Sequence, residues 1–578
     1  MSTKRALYDK LLSSYPITLK ATKSKGRHFV AKSQLQPGTT VLVESPCAFV
    51  LFKDNARDYC SYCMKRFNRM TAATRPASTE TSLFSLSSQS DSSNTCIVCT
   101  DCRNQTFWCS ESCKKADQAH QLICAAIVEL PGIAGMHSVD YALVRLIVQV
   151  LANTAVEAIW QMDSSCRVES TPMACISDLL SHQKSYQGPW LNAIDCAAED
   201  IAACLSHLKI NDSLKSKQEI IKLACRINSN SHGVYDATGN KSGEIGVGMF
   251  PFVAMLNHSC APNCAFVTSQ SGQMLVRTLT QVSPGTELCV GYIDLFTPRW
   301  ERRGKLLTTK LFWCTCIRCG PRAEETVVLT TLDPPTMDPN VEMHEKSNLW
   351  QELQLDGVLC LSCKSLLVPT IENGQDMDAD ILFRCLSSIK LMGDNPLDKC
   401  ANPTIYSVQD RQSIFDQLTK YIESAQDLIK IDQLASAKCE YESALAFAYL
   451  KLHPNNHQFL PLYTNLVEIS MRLSQLDSAI KYSRCAVDHL TQLVDLIGVS
   501  RHIPELSDLT CKYAEVLEIA AECIHDGLTI ETNANGEQMN EANLRELSAK
   551  CYTQCLESRL VCYGVDHPKT KLIQQKLL

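Results

Sequence analysis

A cysteine at position 260, set in Asn257-His258-Ser259-Cys260, and a dense downstream knot, Cys314-x-Cys316-x-x-Cys319, constrain this chain more than any other feature. Four thiolates suit one tetrahedral Zn²⁺, with three ligands from the knot and the fourth from the distant Cys260. Such a clasp ties a late segment onto the Asn257-His258 loop, with Gly291-Tyr292 lying between the two halves. The alternative, four ordinary buried cysteines, leaves the CxCxxC spacing without a cause. The fold has to bring two separate stretches of chain to one point.

That reading depends on reduced thiols. The first residues, MSTKRALYDKLLSSYP, lack the apolar core of a secretory signal. The longest apolar stretch, Met136 to Met162, is broken by Asp140, Arg145 and Glu157, which fits a buried amphipathic helix rather than a membrane span. The expectation is an intracellular protein of cytoplasm and nucleus, with no basic run to choose between them. Its 31 cysteines are then mostly thiols. A length of 578 residues implies several compact units, and 45% hydrophobic with 20% charged residues is an ordinary soluble composition. The net charge of −7 argues against a general basic surface for nucleic acid, and there is no basic recognition helix.

A second cluster opens at Cys60-x2-Cys63. After a Ser/Thr-rich stretch come Cys99-x2-Cys102, Cys109-x3-Cys113 and His120-x3-Cys124. Four ligand pairs imply two zinc ions, and metal ligation supplies the folding energy that so short a segment cannot draw from a core. In cross-braced, treble-clef-like modules the first and third pairs share one ion and the second and fourth the other. That assigns Cys60, Cys63, Cys109 and Cys113 to one site, and Cys99, Cys102, His120 and Cys124 to the other. Cys96-x2-Cys99 is an overlapping knuckle; Cys99/Cys102 is preferred because it leaves the shorter loop to Cys109. A single metal site with spare thiols is the alternative. The order Trp108-Cys109-Ser110-x-x-Cys113, then His120-x3-Cys124, resembles the MYND zinc finger, a peptide-binding module. It departs from that pattern in the insert from Lys65 to Thr95, whose composition reads as a disordered surface loop.

Around the opening motif the chain runs from Gly246 through Asn257-His258-Ser259-Cys260 to Asn263-Cys264. It continues with strand-like Gln273-Met-Leu-Val-Arg277, a Pro284-Gly285 turn, Glu287-Leu-Cys-Val-Gly291-Tyr292 and Glu301-Arg302-Arg303. Near the start, Ser24-Lys25-Gly26-Arg27-His28 precedes a Pro37-Gly38 turn and the apolar Val41-Leu-Val. This order resembles SET-domain protein methyltransferases. With a finger between the two halves, it resembles the SET- and MYND-domain (SMYD) protein-lysine methyltransferases over essentially the whole chain.

The resemblance implies an α+β multidomain architecture, a β-rich SET fold split by the finger and a helical insert. Its parts would be SET N-terminal part 15–59, MYND finger 60–124 with disordered insert 65–95, helical insert 125–245 and SET C-terminal part 246–297. A post-SET zinc knot, 298–320, and a linker with a degenerate cysteine knuckle, 321–404, would lead to a tetratricopeptide-like helical domain, 405–578. It also implies S-adenosylmethionine as cofactor and three zinc ions. The Lys25-Gly26-Arg27 turn would approach the cofactor, glycine permitting the close contact. Asn257 and His258 would meet its adenine and amino-acid parts, and Phe312 would pack beside it. Asn230 and, by a looser match, His182 are further contacts, for which a satisfied structural hydrogen bond is the competing role. Tyr292 would both touch the cofactor and act as the central catalytic residue, orienting the lysine amine; a buried structural tyrosine is the alternative.

Two positions depart from the family pattern. His28 stands where a glycine usually follows Lys-Gly-Arg. Lys310 stands where a tyrosine, two positions before Phe312, normally walls the target-lysine channel. A cation there repels a substrate lysine unless its side chain points elsewhere. The competing function is therefore a SET/MYND scaffold with weak or no turnover that recruits partners.

Beyond the knot, Cys360-x2-Cys363 and Cys385, with Ser388 in the would-be fourth position, read as a decayed zinc ribbon, since three cysteines do not close a structural site. From about Tyr406 the pattern is helical: Leu462, Leu466, Ile469 and Leu473 share one face, and Tyr449-x3-His453-Pro454 is repeated as Tyr563-x3-His567-Pro568. The partners expected are a substrate-protein lysine and peptides held by the finger and the repeats, with no direct nucleic acid, no membrane and a monomeric state.

Overall fold

The computed structural model describes residues 2–67, 96–162, 173–186, 188–208, 210–238, 243–320, 351–371, 381–388, 400–527 and 540–578. Most of the serine-rich insert (68–95) and the segment 321–350 lie outside the described residues.

Early and late segments of the chain share short sheets. Thr40–Glu44 pairs antiparallel with Met274–Thr278, and Ala48–Leu51 with Glu244–Met249, so that Glu44 faces Met274 and Ala48 faces Met249. Met274–Thr278 alternates buried and half-buried side chains, as the pattern Gln273-Met-Leu-Val-Arg277 predicts. The chain re-enters this β framework at Ser231–Tyr235, which pairs antiparallel with Glu244–Met249, so the described residues between 51 and 231 are an excursion from it. Buried Glu44 helps to fix the entry to the Asn257 loop: its carboxylate accepts from the backbone N–H of Phe252 (3.0 Å) and Val253 (2.8 Å).

The excursion is helical after the finger. The apolar stretch expected as one helix is divided: Gln118–Met136 ends where it begins, and a new helix runs Tyr141–Met162. Asp140, read from sequence as an interruption, starts that helix, its Oδ1 accepting the Leu143 N–H at 2.8 Å. Gln118–Met136 and Tyr141–Trp160 are long and apolar enough to cross a membrane by length and composition. Here they pack against each other, with Val144, Leu146, Ile147 and Val148 in the core they share with the sheets. Helices Pro189–Cys204 and Lys217–Asn230 complete this layer.

The C-terminal region is a succession of helices from Val408–Lys430 to Pro568–Lys576, each packed on the next. Leu462, Leu466 and Ile469 are buried on Phe459–Arg472, and Leu473 caps it. The repeated Tyr-x3-His motif marks helix junctions: Tyr449 lies near the end of Leu434–Lys451, and His567 caps Pro568–Lys576. His567 also anchors this region to the β framework, its Nε2 donating to the Thr268 carbonyl (3.0 Å) while Arg277 Nε donates to that of Val561 (2.8 Å).

The expected linker holds more structure than its sequence suggests. Leu367–Ile371, Ile381–Cys385 and Ile405–Ser407 form a three-stranded antiparallel sheet. Ser388 does not supply a fourth corner to Cys360, Cys363 and Cys385, because its hydroxyl turns back to the Cys385 carbonyl (2.6 Å). Cys400 supplies it: the four sulfurs lie within 4.8 Å of one another. The reading of a three-cysteine, decayed ribbon is corrected on this point.

Candidate active site and metal clusters

The opening motif does close on the late knot. Sγ atoms of Cys260, Cys314, Cys316 and Cys319 all lie within 4.8 Å of one another. Asn257-His258 is held parallel to Cys289-Val290, and the helix Arg299–Lys310 ends at Leu311 in a left-handed turn (φ +61°) that throws the chain into the knot. Two arginines with no solvent exposure surround it. Arg302 Nε donates to Cys260 Sγ (3.3 Å) and Nη2 to Cys319 Sγ (3.7 Å), while Arg303 donates to the carbonyls of Cys314 and Cys319. A divalent ion held by four thiolates carries a net charge of about −2, so buried guanidinium partners fit the donor set.

The finger groups as the spacing implies. Cys60, Cys63, Cys109 and Cys113 form one set, and Cys99, Cys102, His120 and Cys124 the other, while Cys96 belongs to neither. Asp117 positions His120: its carboxylate caps the helix at the His120 N–H (3.1 Å) and accepts from Trp108 Nε1 (3.0 Å). His120 Nε2 lies 3.3 Å from Cys99 Sγ, and burial pushes its imidazole down to about 4, leaving the neutral ring a metal requires. The finger's own apolar cluster contains Cys60, Phe67, Phe107 and Trp108. Chelation is therefore expected to unfold it, read as a red shift of Trp108 emission and new protease cleavage within 60–124; unchanged cleavage would show that ligation does not hold this fold.

The sequence-derived ligand residues are linked into a closed circuit. Asn257 Nδ2 donates to the Lys25 carbonyl (3.1 Å) and to Glu287 Oε1 (2.8 Å), and Lys25 Nζ pairs with Glu287 Oε2 (2.6 Å). Arg27 reaches the Asp178 carbonyl; beyond it, Asn230 Nδ2 donates to the carbonyls of Leu180 and Arg226 (both 2.8 Å). Ser229 accepts from Lys310 Nζ (3.2 Å), which lies 5.8 Å from the centroid of the Tyr292 ring. Tyr292 packs on His258 (5.3 Å) and Phe312 (6.5 Å), and His258 returns to Asn257. His182 follows two residues beyond Leu180, at φ +49°, and is placed near the set by the chain alone. Gly26 has φ +65°, and a Cβ placed there would meet nothing within 4 Å, so the turn is open to a ligand.

Several roles become sharper. His258 Nδ1 accepts the Tyr292 N–H (3.0 Å), so its proton sits on Nε2, which faces Cys260 Sγ at 3.2 Å. Both ring nitrogens are thus engaged by the chain itself, which leaves backbone and ring edge for a ligand. The Tyr292 hydroxyl donates to the Leu256 carbonyl, and burial raises its pKa well above the usual tyrosine value. His28, the first departure, is buried, with Nδ1 3.1 Å from the Gly26 carbonyl. Lys310, the second, does not point elsewhere: burial beside Tyr292 lowers its pKa. Sequence reasoning missed Glu287, which joins Lys25 to Asn257. It also missed Glu352, a buried carboxylate that faces Arg302 Nη1 at 3.0 Å and pairs with Arg318.

Residues 26–293 match the SET domain family. Human N-lysine methyltransferase SMYD2 is 24% identical, over 54% of this chain and 62% of that protein. SMYD2 of Gallus gallus is 27% identical, over 42% and 52%. Histone-lysine N-methyltransferase SMYD3 of Mus musculus is 23% identical, over 71% of this chain and 92% of the relative. The chain spans less than two thirds of the length of the SMYD2 relatives.

Proposed function

We propose that this chain, which carries a SET domain and is similar to SMYD lysine methyltransferases, is an S-adenosylmethionine-dependent protein-lysine N-methyltransferase. The observation that carries this reading is the closed circuit from Lys25 and Asn257 to Tyr292 and Phe312, with the Cys260 clasp beneath it. In this reading 60–124 is a MYND finger, 298–320 a post-SET knot and 405–578 a tetratricopeptide-like domain, with the finger and repeats taking up partner peptides. The two finger sets and the clasp would hold zinc, whose charge keeps the thiols ionised.

Lys25, Gly26, Arg27, His182, Asn230, Asn257, His258, Tyr292 and Phe312 would hold S-adenosylmethionine, which when bound supplies a sulfonium methyl for in-line transfer to a lysine amine. The open Gly26 turn leaves room beside the Asn257 amide, and the Tyr292 and Phe312 rings offer a ligand an apolar wall. The target amine must arrive neutral, and at pH 7 its deprotonation costs about 4–5 kcal/mol. Tyr292 is no base, because its own proton is held more tightly than usual. Its role is alignment, with the hydroxyl and the Leu256 carbonyl next to each other at the reacting end. The amine's proton leaves to water, and desolvation by the Tyr292 and Phe312 rings favours the neutral form.

Lys310 supports the scaffold as a second reading, since its amine lies beside Tyr292 in the place of a channel-wall tyrosine. Radiolabelled S-adenosylmethionine, a lysine-rich protein extract and the purified chain separate the two. Label transferred to extract proteins is the expected result. Cofactor binding without transfer by the parent, together with transfer by Lys310→Tyr, would establish the scaffold and its cause. No cofactor binding by either protein removes the enzyme reading and leaves the scaffold.

A further inference from the structure

The four cysteines in the former linker form a metal site of their own. We propose that Cys360, Cys363, Cys385 and Cys400 bind a fourth zinc ion, which holds the segment carrying Glu352 and Asp356 against the clasp helix.

The donor set comes first. The sulfurs lie within 4.8 Å of one another, with Cys363 3.3 Å from Cys385 and Cys360 3.8 Å from Cys400. These separations are far longer than a disulfide bond of about 2.0 Å and match the edges of a tetrahedron around one ion. Backbone geometry gives an independent argument. In the finger knuckle, Cys60 N–H donates to the Lys65 carbonyl (2.9 Å), Met64 N–H to the Cys60 carbonyl (2.9 Å), and Tyr59 bridges Arg66. In the ribbon, Cys360 N–H donates to Ser365 (2.8 Å), Lys364 N–H to Cys360 (3.0 Å), and Leu359 bridges Leu366. Met64 and Lys364, each just after the second cysteine, share a left-handed φ of +60° and +61°. A non-glycine residue in that region is uncommon, and Arg103, just after Cys99-x2-Cys102, shares it at φ +54°. Thr404 N–H also donates to Cys360 Sγ (3.4 Å), as thiolate sulfurs in such turns require.

The ribbon is placed to matter beyond itself. Cys360 and Cys385 are buried in the core of the C-terminal helices, and Leu359 N–H donates to the Lys451 carbonyl (2.8 Å). On its other side Asp356 accepts from Trp300 Nε1 (2.9 Å) and Arg411 Nη2 (2.6 Å), and Glu352 pairs with Arg302 and Arg318. Arg302 in turn donates to Cys260 and Cys319 of the clasp. The ribbon thus joins the helical region to the floor of the candidate active site. Tetrahedral sulfur coordination selects zinc or iron, and zinc is the redox-inert choice for a structural role.

Metal content tests this without any measurement of methyl transfer. The full chain, purified under reducing conditions and examined by native mass spectrometry and elemental analysis, is expected to hold four zinc ions. Cys400→Ser and Cys363→Ser should each hold three, and Cys439→Ser, which alters an exposed cysteine outside every cluster, should hold four. A parent with three ions that Cys400→Ser leaves at three overturns the proposal. Should the variants fail to fold, alkylation of the parent decides. Exposed Cys363 is protected until chelator is added if metal binds there, and it reacts at once if none does. A Cys363–Cys385 disulfide that persists in reductant also overturns it.

Discussion

Tyr292→Phe is expected to lower methyl transfer by about a hundredfold or more while leaving S-adenosylmethionine binding within a few-fold and the zinc content unchanged. The phenyl ring keeps the packing on His258 and Phe312, and the backbone N–H that fixes His258 is untouched. What is lost is the hydroxyl and its bond to the Leu256 carbonyl, which set the direction of the incoming amine. The pH profile separates orientation from proton abstraction. A group whose pKa is raised stays protonated through neutral pH, so Tyr292 gives no basic limb of its own. The rate should then climb about tenfold per pH unit below the pKa of the substrate lysine, because only the neutral amine reacts. Phe at 292 should retain that slope at lower amplitude. Equal rates for parent and variant sink the assigned role, and a slope abolished by the substitution makes Tyr292 a base.

Much of this site could be read in the sequence because its chemistry is local. Cys60-x2-Cys63 or His120-x3-Cys124 carries its geometry in a few residues, and the structure gathers the twelve candidate donors of the 60–124 segment and the clasp into three groups of four, each able to hold a metal ion. Cys400 was hidden for the opposite reason. It has no paired cysteine beside it, and it meets Cys360 only because the strands Leu367–Ile371, Ile381–Cys385 and Ile405–Ser407 fold back on each other. Glu352 and Glu287 are unremarkable carboxylates until tertiary contacts bury one and set the other between Lys25 and Asn257. Lys310 was visible as a departure, but its direction depended on how the helix Arg299–Lys310 ends over Ser229. His258 was legible as a residue of the site; its use of both ring nitrogens to join Tyr292 to Cys260 was not. The division of the apolar stretch at His137–Asp140 was likewise obscured, because hydrophobic periodicity continues across the turn.

Arg302→Met is expected to cost about 3–5 kcal/mol of stability, although it keeps the side chain's approximate length and apolar stem. Arg302 has no solvent exposure and faces anions on two sides, Cys260 and Cys319 sulfurs on one and Glu352 on the other. Removing its charge leaves a thiolate set and a carboxylate in a dry region, with Arg318 beside Glu352 and Arg303 bound to clasp carbonyls rather than to its sulfurs, and burial turns each charge left unpaired into a penalty. A solvent-exposed pair would lose far less, about 1 kcal/mol or below. The same change removes two donors from clasp sulfurs, so zinc there should be bound about 10–100-fold more weakly, while the finger ions stay in place. Denaturant unfolding measures the first effect and competition with a graded chelator the second. Loss of stability without loosened clasp zinc would mean that Arg302 serves Glu352 alone. Weakened clasp zinc with unchanged stability would mean that the charge is already matched without it. Both effects together are what a guanidinium placed between the ribbon and the clasp has to produce.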